Sequence, residues 1–151
     1  MTRFFSIDDA NAAVPELRTI LETLRDERAQ LIELRDEFAR QTAREATPTP
    51  GEPGSGGVSG EAPPGEAANG DARRRIRLRM QGVIDQMQAG VARIDELGVT
   101  LREIETGLID FPALVSGRQV WLCWRLGEED VAWWHELGDG FGGRQPLAEL
   151  H

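Results

Sequence analysis

The chain has no lysine, one cysteine and two histidines, and its 17 basic residues are all arginine. A single Cys excludes an internal disulfide framework and fits a reducing compartment. One internal His is far short of the repeated His or Cys spacing that marks a strong metal motif. No apolar run approaches ~18 residues, so no membrane span is expected. The N-terminal stretch carries Asp8 and Asp9 where a signal peptide needs an apolar run. A cytoplasmic location is therefore the expectation. With 26 acidic residues the formal net charge is −9, which disfavours non-specific contact with nucleic acid. The all-Arg basic set, with abundant Ala and Gly, has the look of a high-GC bacterial genome.

What is present is organised in four stretches: 1–45, 46–70, 71–106 and 107–151. In the first, Ser6 is placed to cap a helix, with Asp9 three residues on and Phe5 as a hydrophobic staple. Pro15 suits only a first turn, so the spacing predicts a short turn at 7–13 and a long helix from Pro15 or Glu16. Leu17, Ile20, Leu24, Leu31, Leu34 and Phe38 hold heptad positions, and Glu27 breaks the alternation. Residues 46–70 contain seven Gly and five Pro and too little apolar surface to fold, which predicts a disordered insert. Asp71 then caps a second helix running to about Glu105 with the stripe Ile76, Met80, Val83, Met87, Gly90, Ile94, Leu97, Leu101 and Ile104. Antiparallel pairing of the two stripes sets Leu24 near Gly90, a point of close backbone approach. Two such helices make a thin core, so dimerisation or docking of the C-terminal module is expected.

The run Arg73-Arg74-Arg75-Ile76-Arg77-Leu78-Arg79 reads as a solvated helix face. A nucleic-acid patch would be expected on a less acidic chain with interleaved aromatics.

After Gly107 the period changes from heptad to alternation. Leu108–Leu114, Gln119–Leu126 and Val131–Leu137 read as strands, with a turn at Ser116-Gly117 and another over 127–130. Pro112 places its strand at an edge or a bulge. A turn at 127–130 pairs Trp124 with Trp133, Leu122 with His135, and Cys123 with Trp134. In that register His135 lies on the apolar face and Cys123 on the other, which disfavours a Cys–His metal or nucleophile pair. An imidazole on an apolar face needs a partner, and Asp110, Glu103 and Glu105 are the carboxylates within reach. A hydrogen-bonded structural His is the plain expectation; a divalent transition metal at Glu103, Asp110 and His135 is the sharper one. Gly140-Phe-Gly-Gly-Arg144 lacks a following helix and so is not a phosphate loop. Arg144 is placed to hold Asp110, Glu128 or Glu136, or to offer an anion site. Asp110, Glu128, His135, Glu136 and Arg144 are thus the candidate ligand-binding residues.

Several segments carry a resemblance: Gly107-Leu-Ile-Asp-Phe-Pro, Gly117-Arg, Leu122-Cys-Trp-Arg-Leu-Gly-Glu128, Trp134-His-Glu136 and Gly140-Phe-Gly-Gly-Arg144, with Phe5-Ser-Ile-Asp-Asp near the start. In this order they resemble the uncharacterised prokaryotic family called domain of unknown function 2203. The resemblance implies that Glu103, Asp110, Cys123, Glu128, His135, Glu136 and Arg144 belong to a recurring pattern; it implies no reaction. The expected fold is α+β: a long antiparallel helical hairpin with a C-terminal antiparallel sheet of about three strands. The expected role is a non-enzymatic binding or scaffolding protein that forms a dimer or meets a protein partner, without nucleic acid or membrane. The alternative is a small enzyme or metal-binding protein built around His135.

Overall fold

A computed structural model describes residues 3–46 and 64–150. The chain is α+β, with two helices that contact each other and a five-stranded antiparallel sheet. Helix α1 spans Ile7–Ala46 and α2 spans Pro64–Glu96. The strands are β1 (Thr100–Glu103), β2 (Leu108–Val115), β3 (Arg118–Arg125), β4 (Trp133–His135) and β5 (Gln145–Pro146), hydrogen-bonded in that order. Most of the expected insert lies outside the described residues. Its last part belongs to α2, which begins at Pro64 and not at the expected cap Asp71. The helix tolerates Gly70 inside it, since a glycine there costs only ~1 kcal/mol. Among the described residues no helix is long and apolar enough to cross a membrane.

The chain divides into two compact units. Ala29 to Asp85 forms one, in which Leu34, Ile76 and Val83 are buried and the Arg77 guanidinium lies 5.6 Å from the Phe38 ring centre. The other joins the chain up to Arg28 with the chain from Gln86 onward, and it holds the whole sheet.

In this larger unit α1 opens with a reciprocal capping box. The Asp9 amide donates to Ser6 Oγ at 3.0 Å, and the Ser6 amide donates to Asp9 Oδ2 at 3.4 Å. The helix then runs unbroken through Pro15, without the separate first turn that was expected. Ala10, Val14, Leu17 and Leu21 form one continuous buried stripe across that point. Their burial offsets the backbone bond that Pro15 removes. Leu21, off the heptad, is fully buried while Ile20 is only half-buried, because this stretch of α1 faces both α2 and the sheet and so buries a wider stripe. Glu27, the heptad breaker, is 8% exposed, and burial raises its carboxyl above the usual range. A Cβ on Gly90 would lie 3.0 Å from Leu24 Cδ2, so Leu24 does meet Gly90, through its side chain packed on the glycine.

Helix α2 ends at Glu96, well short of Glu105. The Val99 amide donates to the Ile94 carbonyl at 3.2 Å and the Gly98 amide to the Asp95 carbonyl at 2.9 Å, with Gly98 at φ +81°. This is a Schellman cap, closed by the buried side chains of Ile94 and Val99. Leu101 and Ile104 keep packing against the core from an extended segment and the turn that follows it. Heptad spacing alone could not separate the two cases.

The sheet's apolar face carries Ile109, Phe111 and Ala113 opposite Trp124, Leu122 and Val120, all buried. They share one core with Phe5, Val14, Leu17, Leu21 and Ile94. Phe5 meets Phe111 edge-to-face at 5.1 Å. Its amide donates to the Pro112 carbonyl at 2.8 Å, beyond the reach of β1, where the missing Pro112 N–H costs nothing. Ser116 and Gly117, at φ 53° and 77°, make the expected turn.

Gly107 is the most constrained glycine. Its φ is +68°, and a Cβ there would sit 2.5 Å from Leu126 Cβ. Gly107→Ala is expected to destabilise the protein by ~2–4 kcal/mol in urea unfolding. Gly90→Ala, which meets side-chain atoms of Leu24 and Ile20 and no backbone, should fall within ~1 kcal/mol of wild type.

Candidate metal centre

The opposite face of the sheet is built by alternation. Asp110 on β2 faces Cys123 on β3, and Pro112 faces Trp121. Strand β4 then pairs Trp121 with His135, Leu122 with Trp134 and Cys123 with Trp133. This is one residue away from the expected register, and a one-residue slip turns every side chain of the strand over. His135 therefore leaves the apolar face and joins Asp110 and Cys123.

The slip follows from how the link between β3 and β4 is held. The link between β3 and β4 is longer than a four-residue turn and carries its own bonds. The Val131 amide donates to Asn11 Oδ1 at 2.7 Å, and Val131 itself is buried in the core. The Leu126 amide donates to the Gly107 carbonyl at 3.0 Å, and Glu128 Oε1 accepts the Arg125 amide at 2.7 Å. Leu126 and Val131 are thus held by other elements and not by each other.

Asp110, Cys123 and His135 are all about 2% exposed or less, and their ligand atoms lie within 4.8 Å of one another. His135 Nε2 is 3.1 Å from Asp110 Oδ2. His135 Nδ1 is 2.9 Å from the Glu136 carbonyl oxygen. A carbonyl can only accept, so Nδ1 carries a proton. In a neutral imidazole Nε2 is then a bare lone pair facing a carboxylate oxygen. Two buried acceptors at that distance require something positive between them, a proton or a metal ion. Asp110 Oδ2 also accepts from Arg102 Nε at 2.8 Å, and Asp110 Oδ1 is buried with no hydrogen-bond partner among the described residues.

The Cys123 thiol is pushed up to about 12, first by burial and then by the Asp110 charge, with Arg144 opposing. A nucleophilic Cys needs the opposite shift. Cys123 should therefore resist thiol reagents at mildly alkaline pH in the folded protein and react stoichiometrically once unfolded. Rapid reaction of the folded form would contradict the burial. As pH rises, an unfolded thiol ionises near 9.0 and the folded one near 12. Stability held by the protonated thiol is full below the first value and is lost toward the second.

The other expected residues divide clearly. Glu103 is exposed on β1, opposite Leu108, and its carboxylate is not among the ligand atoms that gather at the cluster. The β1–β2 register shifts between Leu101 and Glu103, and this irregularity accompanies Arg102, not Glu103, reaching Asp110. Arg102 also stacks over Trp121, 4.9 Å from the ring centre. Glu136 offers its backbone carbonyl to His135, while its carboxylate pairs with Arg118. Arg144 donates twice through Nη2 to Glu128, at 2.6 and 2.9 Å, between the rings of Trp133 and Phe141. Glu128 and Arg144 thus hold the loop after β3 to the tail after β4.

That tail borders a pocket of about 380 Å³ over the cluster. Arg102, Leu108, Leu137, Asp139 and Phe141 line it, with Gly138 and Gly140, above Asp110, Cys123 and His135. Sequence reasoning missed Cys123 because the assumed turn put it on the wrong face, and missed Arg102 because the heptad spacing carried the second helix through the residues that form β1.

No curated protein and no solved structure matches the chain. A family model covers residues 3–147, nearly the whole length and including every residue of the cluster. The chain therefore belongs to the family of uncharacterised conserved proteins DUF2203.

Proposed function

We propose that this protein binds one divalent transition metal ion through Asp110, Cys123 and His135. The observation that carries the reading is the buried contact between His135 Nε2 and Asp110 Oδ2 at 3.1 Å, with Nδ1 already committed to a carbonyl. An N–H donated from the far ring nitrogen to a backbone carbonyl is the usual outer support of a metal-bound histidine. One thiolate, one imidazole and one carboxylate suit zinc by donor chemistry. Tetrahedral zinc, with bonds of ~2.0–2.3 Å, sets its ligand atoms roughly 3.3–3.8 Å apart. The three atoms, within 4.8 Å of one another, reach that arrangement by shifts of about an ångström. Binding displaces the Cys123 proton.

Three protein ligands leave a fourth position, which the pocket makes accessible. The function this supports is capture of a small ligand at a metal ion, in place of the scaffolding role expected first. Elemental analysis of protein purified without chelator or metal-affinity resin tests it. About one transition metal ion per chain is expected. Protein without metal that also fails to take up added zinc would leave a buried imidazolium–carboxylate pair as the reading of the contact.

A further inference from the structure

The ligand that this pocket takes can be narrowed, on the basis of the metal reading above. The Arg102 guanidinium uses Nε for Asp110 and lies over the Trp121 ring. Its Nη groups make no hydrogen bond or ion pair among the described residues. Pairing and stacking fix the plane of the fork while its outer N–H groups stay free. Such N–H groups donate charge-assisted hydrogen bonds to a carboxylate oxygen. Arg102 borders the same pocket as the three candidate metal ligands.

Two further features bear on what else the ligand carries. Leu137 and Phe141 border the pocket and are 52% and 41% exposed, Phe141 with the Arg144 and Arg125 guanidinium groups against its ring. Gly138 and Gly140 also line it. Neither has positive φ, and a Cβ on either would meet nothing within 4 Å. Neither strain nor crowding within the chain demands glycine there. Asp139, on the same wall, repels multiply charged anions.

We infer that the pocket binds a small apolar monocarboxylate, one carboxylate oxygen at the metal's open position and the other at the Arg102 fork, with its apolar part against Leu137 and Phe141. A volume of about 380 Å³ fits a molecule the size of an aryl or alkyl acid.

The test uses the full chain loaded with cobalt(II), whose visible spectrum reports both thiolate ligation and changes in the remaining position. Phenylacetate is the probe, with inorganic phosphate beside it. Saturable perturbation of the cobalt bands by phenylacetate is expected, with phosphate at least tenfold weaker. Arg102→Gln should weaken phenylacetate tenfold or more relative to its own cobalt-loaded baseline. Gly140→Ala, whose Cβ meets nothing in the protein, should weaken it severalfold. Cobalt bands that phenylacetate leaves unmoved would overturn the carboxylate assignment alone. Equal response to phosphate would overturn it too, in favour of a generic anion site. Absence of any thiolate–cobalt band would remove the metal reading beneath it.

Discussion

His135→Ala is expected to abolish metal retention, with affinity for zinc falling by more than about 100-fold, beyond the loss that typically follows removal of an outer-shell partner. Cys123→Ala is expected to give the same result by a different route, because it removes the only soft donor of the three. The pair of variants matters because the two residues differ in what else they hold. His135 also bonds the Glu136 carbonyl, so its removal can loosen β4. Cys123 has no such backbone bond, and its truncation leaves only a small cavity, costing ~1 kcal/mol. A Cys123→Ala protein that melts near wild type and binds no metal isolates ligation from folding. Glu103→Ala is the control. That residue was a sequence candidate, but it is exposed on β1, and its removal should leave zinc affinity within about twofold. Competition against a chromophoric chelator measures all three.

Arg144→Met is expected to cost ~2–4 kcal/mol of stability, far more than an ordinary surface pair. Its side chain is 9% exposed and that of Glu128 is 21% exposed, so removal strands a carboxylate that has little water to turn to. The guanidinium also sits 4.9 Å from the Trp133 ring and 4.6 Å from that of Phe141, and a Met cannot replace both contacts. Arg144→Lys should recover little, because a point charge lacks the fork and the flat face. Adding Glu128→Gln to Arg144→Met should return part of the loss, since the stranded charge goes with it. Urea unfolding of the two single variants and the double variant measures the coupling. If Arg144 were instead a free anion site, its removal would barely change stability.

The helices and the order of elements were legible because apolar spacing carries them. Leu17, Leu24, Ile76, Val83 and Ile94 repeat at intervals that only helices bury together. The Ser6–Asp9 box and the Ser116-Gly117 turn were legible because their chemistry is local. What failed was hidden under a continuing apolar spacing or depends on longer-range bonds. The end of α2 is fixed by a cap at Gly98 inside an unbroken heptad pattern. The register of β4 is fixed by Asn11, far away in sequence, which takes the Val131 amide. A single-residue error there moved His135 to the wrong face and separated it on paper from Cys123. The residue types of the site were therefore visible, and their convergence was not.

The central claim is that Asp110, Cys123 and His135 hold one metal ion together. X-ray absorption at the zinc edge of the metal-loaded protein tests it most directly. The expected shell has one sulfur at ~2.3 Å with nitrogen and oxygen at ~2.0–2.2 Å, and the sulfur scatterer disappears in Cys123→Ala. A shell of nitrogen and oxygen alone in the wild type, or no zinc bound at all, would contradict it.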